Sequence, residues 1–310
     1  MRIVFFGTPE FAVPSLRALL EEGFDVVSVV TQPDRAQGRS RSKVVASPVK
    51  EVAESEGLPV LQPDRPVGDV FVRALEHLNA DIGVVVAYGH VLKPEVLAIP
   101  RLGMINVHAS MLPRLRGAAP VQWAILNGDE TTGISIMQME AGLDSGPVLH
   151  QIETEVASDE TGGELTERLA ELGAEALIEA LTLLAGDASR PQEQDHSRAT
   201  YAPKITHESC RLDWTLDAAQ LARAVRAFDP APGAWTHFNG EEVKLFGARV
   251  TQGSGPPGAI LAAGRTLTIA GAVGAMEVQE VQPAGRRRMG AAAWARGRPG
   301  GREVEGRRFE

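Results

Sequence analysis

Ile3-Val4-Phe5-Phe6-Gly7-Thr8-Pro9-Glu10-Phe11-Ala12, followed after a helical stretch by Val26-Val27-Ser28-Val29-Val30-Thr31, decides the fold class. The first run is apolar, short and stopped by Gly7 and Pro9, the pattern of a buried strand. Residues 9–22 then place Phe11, Leu16, Leu19 and Leu20 at helical spacing, with Gly23 just past the end. The second run is dense in β-branched residues and predicts another strand. Strand, helix and strand in so short a span make the unit from which parallel sheets are built. Outward from it, Ser47 with Pro48 just inside opens a helix through Glu56. Residues 82–87 and 104–107 read as further strands. Residues 161–185 form a long Ala/Leu/Glu-rich amphipathic helix behind a Thr161-Gly162-Gly163-Glu164 start that resembles a capping box. In such sheets, ligands sit beyond the carboxyl ends of the strands. The turn at Gly7 lies where a dinucleotide fingerprint would stand, yet lacks its glycine spacing. A nicotinamide or flavin cofactor is therefore not expected, and Gly7 serves the tight turn.

The pattern changes after residue 186. Residues 187–207 are rich in Asp, Ser, Arg, Pro and Gln with little periodicity and read as a linker. Beyond them come one short helix at 218–227 and short strands at 243–250, 258–262, 267–270 and 273–281, split by glycine and proline. That mixture predicts a small β-barrel, with an oligonucleotide-binding (OB) type as one candidate. The expected organisation is a first domain over 1–186, the linker, and a second domain over 208–310.

A chain of 310 residues is long for one domain and comfortable for two. Its 44% hydrophobic and 23% charged residues are ordinary for a globular protein, and no apolar run approaches bilayer-spanning length. The first residues are too short an apolar stretch for a secretory signal and lack a small-residue cleavage site. The single cysteine, Cys210, excludes an internal disulfide and a cysteine-cluster metal site. It reads as a small apolar filler, and the chain is expected in a reducing cytoplasm. Net charge is −9, but it is unevenly spread. Arg35, Arg39, Arg41, Lys43 and Lys50 fall in one stretch without an acidic residue. Residues 286–310 hold eight arginines, Arg286, Arg287 and Arg288 among them, against three glutamates. Two basic patches on an acidic body suit a polyanionic partner; a solvated loop and a frayed tail would account for them equally on charge alone.

Chemistry concentrates in Asn106-Val107-His108-Ala109-Ser110-Met111-Leu112-Pro113-Arg114-Leu115-Arg116-Gly117-Ala118-Ala119-Pro120. Asn106 and His108 stand two apart on a strand and so face the same side. A structural His–Asn hydrogen bond would also explain the pair. Farther on, Gly142-Leu143-Asp144-Ser145-Gly146-Pro147 presents Asp144 on a glycine-bounded turn, where ordinary turn chemistry is the alternative.

These two stretches resemble the folate-dependent formyltransferases. The likeness is dense over residues 1–149 and thinner after Gly186. Gly7-Thr8-Pro9-Glu10-Phe11-Ala12, Gln32-Pro33-Asp34-Arg35 and Gly117-Ala118-Ala119-Pro120-Val121-Gln122-Trp123 narrow it to the branch that formylates the methionyl group on initiator tRNA. The resemblance implies a mainly parallel, Rossmann-like α/β sheet with helices on both faces, and a carboxyl-terminal OB-type barrel. It implies 10-formyltetrahydrofolate as donor, initiator methionyl-tRNA as acceptor, no metal, no membrane, and a monomer. It marks Asn106, His108 and Asp144 as catalytic. It marks Ser110, Met111, Leu112 and Pro113, together with Tyr88 and Gly89, as folate-binding; the family more often has Leu than Met at the second place. His90, beside them, is expected to be a surface histidine. Arg35, Arg39, Arg41, Lys43, Arg286, Arg287 and Arg288 would meet tRNA, although the family's usual Gly-Arg-Gly followed by lysines reads Gly38-Arg39-Ser40-Arg41-Ser42-Lys43 here. A sister branch acting on amino sugar nucleotides shares Arg114, Arg116, Pro120 and Trp123, and a non-catalytic RNA-binding protein could share the scaffold. The basic patches favour the tRNA branch over the first; retention of Asn106, His108 and Asp144 speaks against the second.

Overall fold

The computed structural model describes residues 1–37, 43–297 and 304–310. It divides into two compact units. One comprises Met1–Gly117, Thr132–Glu155 and Thr166–Ala202; the other comprises Ala118–Thr131, Val156–Leu165 and Pro203–Glu310.

The first unit is built on a seven-stranded sheet, in the order Val148–Glu155, Thr131–Gln138, Met104–His108, Ile82–Val86, Arg2–Gly7, Asp25–Val30 and Val60–Leu61. Arg2–Gly7 pairs in parallel with both Asp25–Val30 and Ile82–Val86, which pairs in parallel with Met104–His108. Only beyond Met104–His108 does the direction reverse, with His108 opposite Ser135. Val4 and Phe6 pack with Phe71 and Leu75 of the helix Asp69–His77. Their neighbours Ile3 and Phe5 point the other way and are just as buried, so both faces of the sheet are covered. The first helix runs Val13–Glu21, after a short 3-10 turn at Glu10–Ala12 and with a proline in its first positions. Ser47 caps the helix Pro48–Ser55 by accepting from the Lys50 N–H at 3.1 Å. The basic stretch after Asp34 is less irregular than its composition suggests: Arg35–Gln37 and Lys43–Val45 pair as an antiparallel hairpin. No described helix is long and apolar enough to cross a membrane.

The second unit carries an antiparallel sheet in the order Ala234–Phe238, Glu241–Thr251, Ala275–Pro283, Leu267–Ala270 and Ile260–Ala263, with Met289–Gly290 beside Ala275–Pro283. Its last residues join the two edge strands. Glu310 exchanges backbone hydrogen bonds with His237 at 2.9 and 3.2 Å, and Ile260 donates to the Arg307 carbonyl at 2.8 Å. Closing both edges in this way makes a barrel and leaves neither edge open for pairing. Phe309 stacks on Trp214 and Trp294, with centroids 5.7 and 6.0 Å apart, and fills the interior. The helix Ala218–Ala227 has a full capping box formed by Asp217 and Gln220.

Candidate active site

Asn106 and His108 lie on the strand Met104–His108, at the border between its parallel and antiparallel neighbours. His108 is 5% exposed. Its Nε2 lies 3.0 Å from the Leu115 carbonyl oxygen. A carbonyl can only accept, so Nε2 carries a proton. Nδ1 stands 3.8 Å from Asp144 Oδ2. The same carboxylate oxygen accepts the Gly117 N–H at 2.8 Å. Gly117 has φ +121°, and a Cβ there would come within 2.7 Å of the Ala202 carbonyl oxygen, so glycine is required. Asp144 itself has φ 45°, a conformation that costs on the order of 1–3 kcal/mol for a residue other than glycine and persists only where its surroundings impose it. The Asn106 amide, half-buried, makes no side-chain hydrogen bond among the described residues. The site thus sets an uncommitted amide N–H on the same strand face as an imidazole whose Nδ1 faces a carboxylate.

The turn over 110–113 leaves this strand directly. Ser110 turns inward: its Oγ donates to the Arg114 carbonyl at 2.6 Å and its carbonyl accepts from Ser135 Oγ at 2.6 Å. Leu112 is buried, its N–H donating to Ser135 Oγ at 3.0 Å and its carbonyl accepting from Gln151 Nε2 at 3.1 Å. Met111 and Pro113 are the half-exposed members of the turn. Tyr88 is also turned inward, with its ring edge-on to Phe6 and its hydroxyl without a partner. Burial pushes the phenol pKa up to about 12. Its carbonyl is what the surroundings hold, accepting from Thr8 Oγ1 at 3.1 Å and Gln32 Nε2 at 2.9 Å. Gly89 follows with φ +82°. Any ligand contact at 88–89 is therefore made by backbone.

Of the basic residues, Arg39 and Arg41 lie outside the described residues. Arg35 donates to Gln32 Oε1. Lys43 begins the second strand of the hairpin. Lys50 is paired with Asp34 at 2.7 Å, which holds the Asp34 carboxyl below its ordinary range. On the second unit Arg286 and Arg287 are exposed. Arg288 is engaged, 2.8 Å from Asp229 and 2.6 Å from Glu280, with its guanidinium over the Phe246 ring. Free positive charge there comes from its two neighbours.

Sequence reasoning missed the residues that hold the site. Ser135 and Gln151 brace the turn. Thr200 takes the Leu115 N–H on its Oγ1 at 2.9 Å and the Arg116 N–H on its carbonyl at 2.9 Å. Gln194 and Thr200 both fall in the stretch 187–207 that reads as a linker, and its residues Tyr201–Ala202 pair with Arg116–Gly117 as a two-stranded parallel ribbon. Gln194 is buried among exposed neighbours, and nothing in its polar context marks it.

A class of protein follows from fold and site together: the chain belongs to the formyl transferase family, whose model matches residues 1–181, while the model of the formyl transferase C-terminal domain matches 204–299. It is 49% identical over 293 residues to the methionyl-tRNA formyltransferase of Methylococcus capsulatus, covering 94% of this chain and 95% of that one. It is 47% identical to the methionyl-tRNA formyltransferase of Stutzerimonas stutzeri over 94% of this chain and 92% of that one. Among solved structures it superposes on HypX from Aquifex aeolicus in complex with tetrahydrofolic acid, with a TM-score of 0.65 and 21% identity over 96% of this chain. It spans about half of HypX, 47% of that chain, so this likeness speaks for the fold alone.

Proposed function

We propose that the chain transfers the formyl group of 10-formyltetrahydrofolate to the free amino group of the methionyl moiety on initiator tRNA, giving formylmethionyl-tRNA. The observation that carries this reading is the uncommitted Asn106 amide beside a His108–Asp144 pair 3.8 Å apart. It is joined by close likeness, over almost the whole chain, to relatives of that name. Those groups fit a formamide oxygen and an amine that must lose a proton. Asn106 donates N–H to the formyl oxygen as negative charge grows on it, and acts most strongly where the charge is greatest. His108 cannot use Nε2, which is committed to Leu115, so Nδ1 holds the mobile proton. The Asp144 carboxylate faces Nδ1 at 3.8 Å. The amine nitrogen forms a bond to the formyl carbon and gives up one proton; the bond from that carbon to the donor nitrogen breaks, and this nitrogen gains one. His108 Nδ1 would move that proton between them.

The reading extends to a catalytic domain over 1–186, a connecting segment over 187–207 and a tRNA-binding domain over 208–310, in a monomer acting in the cytoplasm. Met111 and Pro113 and the backbone at 88–89 would meet the folate. Arg35, Arg39, Arg41 and Lys43, with Arg286 and Arg287, would meet tRNA phosphates. The test is formyl transfer from 10-formyltetrahydrofolate to charged initiator tRNA, run beside uncharged tRNA and an amino sugar nucleotide. Asn106→Ala, His108→Ala and Asp144→Ala should each lower turnover by at least ~10²-fold, the scale for a lost oxyanion donor or proton-transfer group. Transfer to the sugar nucleotide in preference to the tRNA would overturn the substrate assignment. Half-activity in any of the three variants would remove that residue from the mechanism.

A further inference from the structure

The Asp144 loop is stapled from an unexpected direction. Gln194 Nε2 donates to the Asp144 carbonyl at 2.9 Å and to the Gly146 carbonyl at 2.7 Å, gripping the turn on both sides of Ser145. Gln194 Oε1 accepts twice from Arg116, from Nε at 3.1 Å and from Nη2 at 2.6 Å. Both side chains are buried, at 7% and 4% exposed. Arginine has only donors, so the Gln194 atom against it must be oxygen, and the amide nitrogen must face the two carbonyls. A flipped amide would set N–H against guanidinium and oxygen against oxygen. Two bonds accepted and two donated use the amide in full. Arg116 has no carboxylate partner among the described residues; Gln194 and His196 Nδ1, at 3.0 Å, are its side-chain partners. The next residue, Gly117, supplies the N–H that the Asp144 carboxylate accepts. Backbone and carboxylate of Asp144 are thereby registered to the same two residues, 116 and 117, and its left-handed φ is imposed rather than chosen.

We propose that Gln194 is a positioning residue for formyl transfer. It sets the place of the Asp144 carboxylate relative to His108 Nδ1, and Arg116 fixes which way its amide faces. The proposal rests on the catalytic reading of Asp144. A carboxylate 3.8 Å from Nδ1 must come closer to share a proton, and a loop free to drift moves it the wrong way as often as the right one.

The experiment compares Gln194→Met, which keeps length and removes all four bonds, with Gln194→Glu, which keeps the Arg116 contact and loses only the donated pair. Each is made alone and in an Asp144→Asn background. Both single variants should lose about 10- to 100-fold in kcat, the scale for a displacement of about 1 Å at a reacting group. KM for donor and for Met-tRNA should move less than about threefold, because ground-state binding is untouched. The pH dependence of kcat should shift with the His108–Asp144 pair. In the Asp144→Asn background, adding either change should cost nothing further, since residues acting as one unit are not additive. The proposal is overturned if Gln194→Glu keeps kcat within about twofold of the parent, or if its loss multiplies with that of Asp144→Asn. Full turnover in Asp144→Asn alone would instead sink the underlying reading of Asp144.

Discussion

Replacing Ser135 by alanine should loosen the turn over 110–113 more than the loss of one hydroxyl suggests. Ser135 is fully buried on the strand Thr131–Gln138, opposite His108. Its Oγ donates to the Ser110 carbonyl and accepts from the Leu112 N–H and from Gln151 Nε2 at 2.7 Å. After the change, Gln151 still has the Leu112 carbonyl at 3.1 Å. The Ser110 carbonyl and the Leu112 N–H lose the partner that Ser135 gave them, in a place water does not reach. An unsatisfied buried group costs ~1–3 kcal/mol, so two of them imply roughly 2–6 kcal/mol, most of it local to the turn. Hydrogen exchange reads this directly: the Leu112 amide should be protected in the parent and lose ~10²-fold or more of its protection in Ser135→Ala. Urea denaturation should show a lower midpoint at an unchanged slope. Formyl transfer should show a raised KM for the donor with a smaller change in kcat, because on the proposed reading the turn would bind the donor while Asn106 and His108 would act. A Leu112 amide as protected as before, with a midpoint shift worth under ~0.5 kcal/mol, would mean that the hydroxyl does not hold the turn.

Tyr88→Phe tests the buried phenol. A folded pKa raised from 10.0 to about 12 gives stability that is complete below pH 10 and lost as pH rises through 12, on the order of 2–3 kcal/mol across that window. The phenylalanine variant should flatten this alkaline decline in denaturation experiments, and its KM for the donor should be unchanged if 88–89 offers only backbone. Arg286→Ala with Arg287→Ala should flatten the salt dependence of Met-tRNA use by about two log units per log salt and leave folding stability alone, as a rate-against-salt series will show. Arg288→Ala should instead lower stability by about 1–3 kcal/mol, measured by urea denaturation, because it takes the cation from the buried Asp229 and leaves it, among the described residues, only the Gly247 N–H at 3.2 Å. Phe309→Ala should cost about 3–5 kcal/mol in the second unit and expose it to proteolysis, since the ring packs on Trp214, Trp294 and Phe238.

What was legible in the sequence follows from which interactions leave a local trace. The strand holding Asn106 and His108 could be read from its apolar run, and the turn of Asp144 from the glycines that bracket it, but it was the family resemblance that grouped the three residues as one site. The strand Thr131–Gln138 could not be read in this way. It is buried along nearly its whole length, yet its Thr, Gly and Ser break any apolar run, and Ser135 is there for its hydroxyl. The barrel's strand Ala234–Phe238 was hidden in the same way, as a Thr and a His interrupt its apolar residues and Thr236 accepts the Trp214 N–H at 2.9 Å. Residues 187–207 read as a linker because Gln194 and Thr200 act on partners 50 and 85 positions away, through bonds to backbone groups that every residue possesses. Such a bond constrains only the residue that reaches, and only at one atom. The proposed chemistry at the formyl group would use an amide, an imidazole and a carboxylate, residue types that stand out within their own stretches of sequence. The bracing needs any donor at the right distance, and distance is a property of the fold. The residue types proposed to act therefore stand out in the sequence, whereas what holds them does not, and Gln194, invisible in its own neighbourhood, is where that difference can be measured.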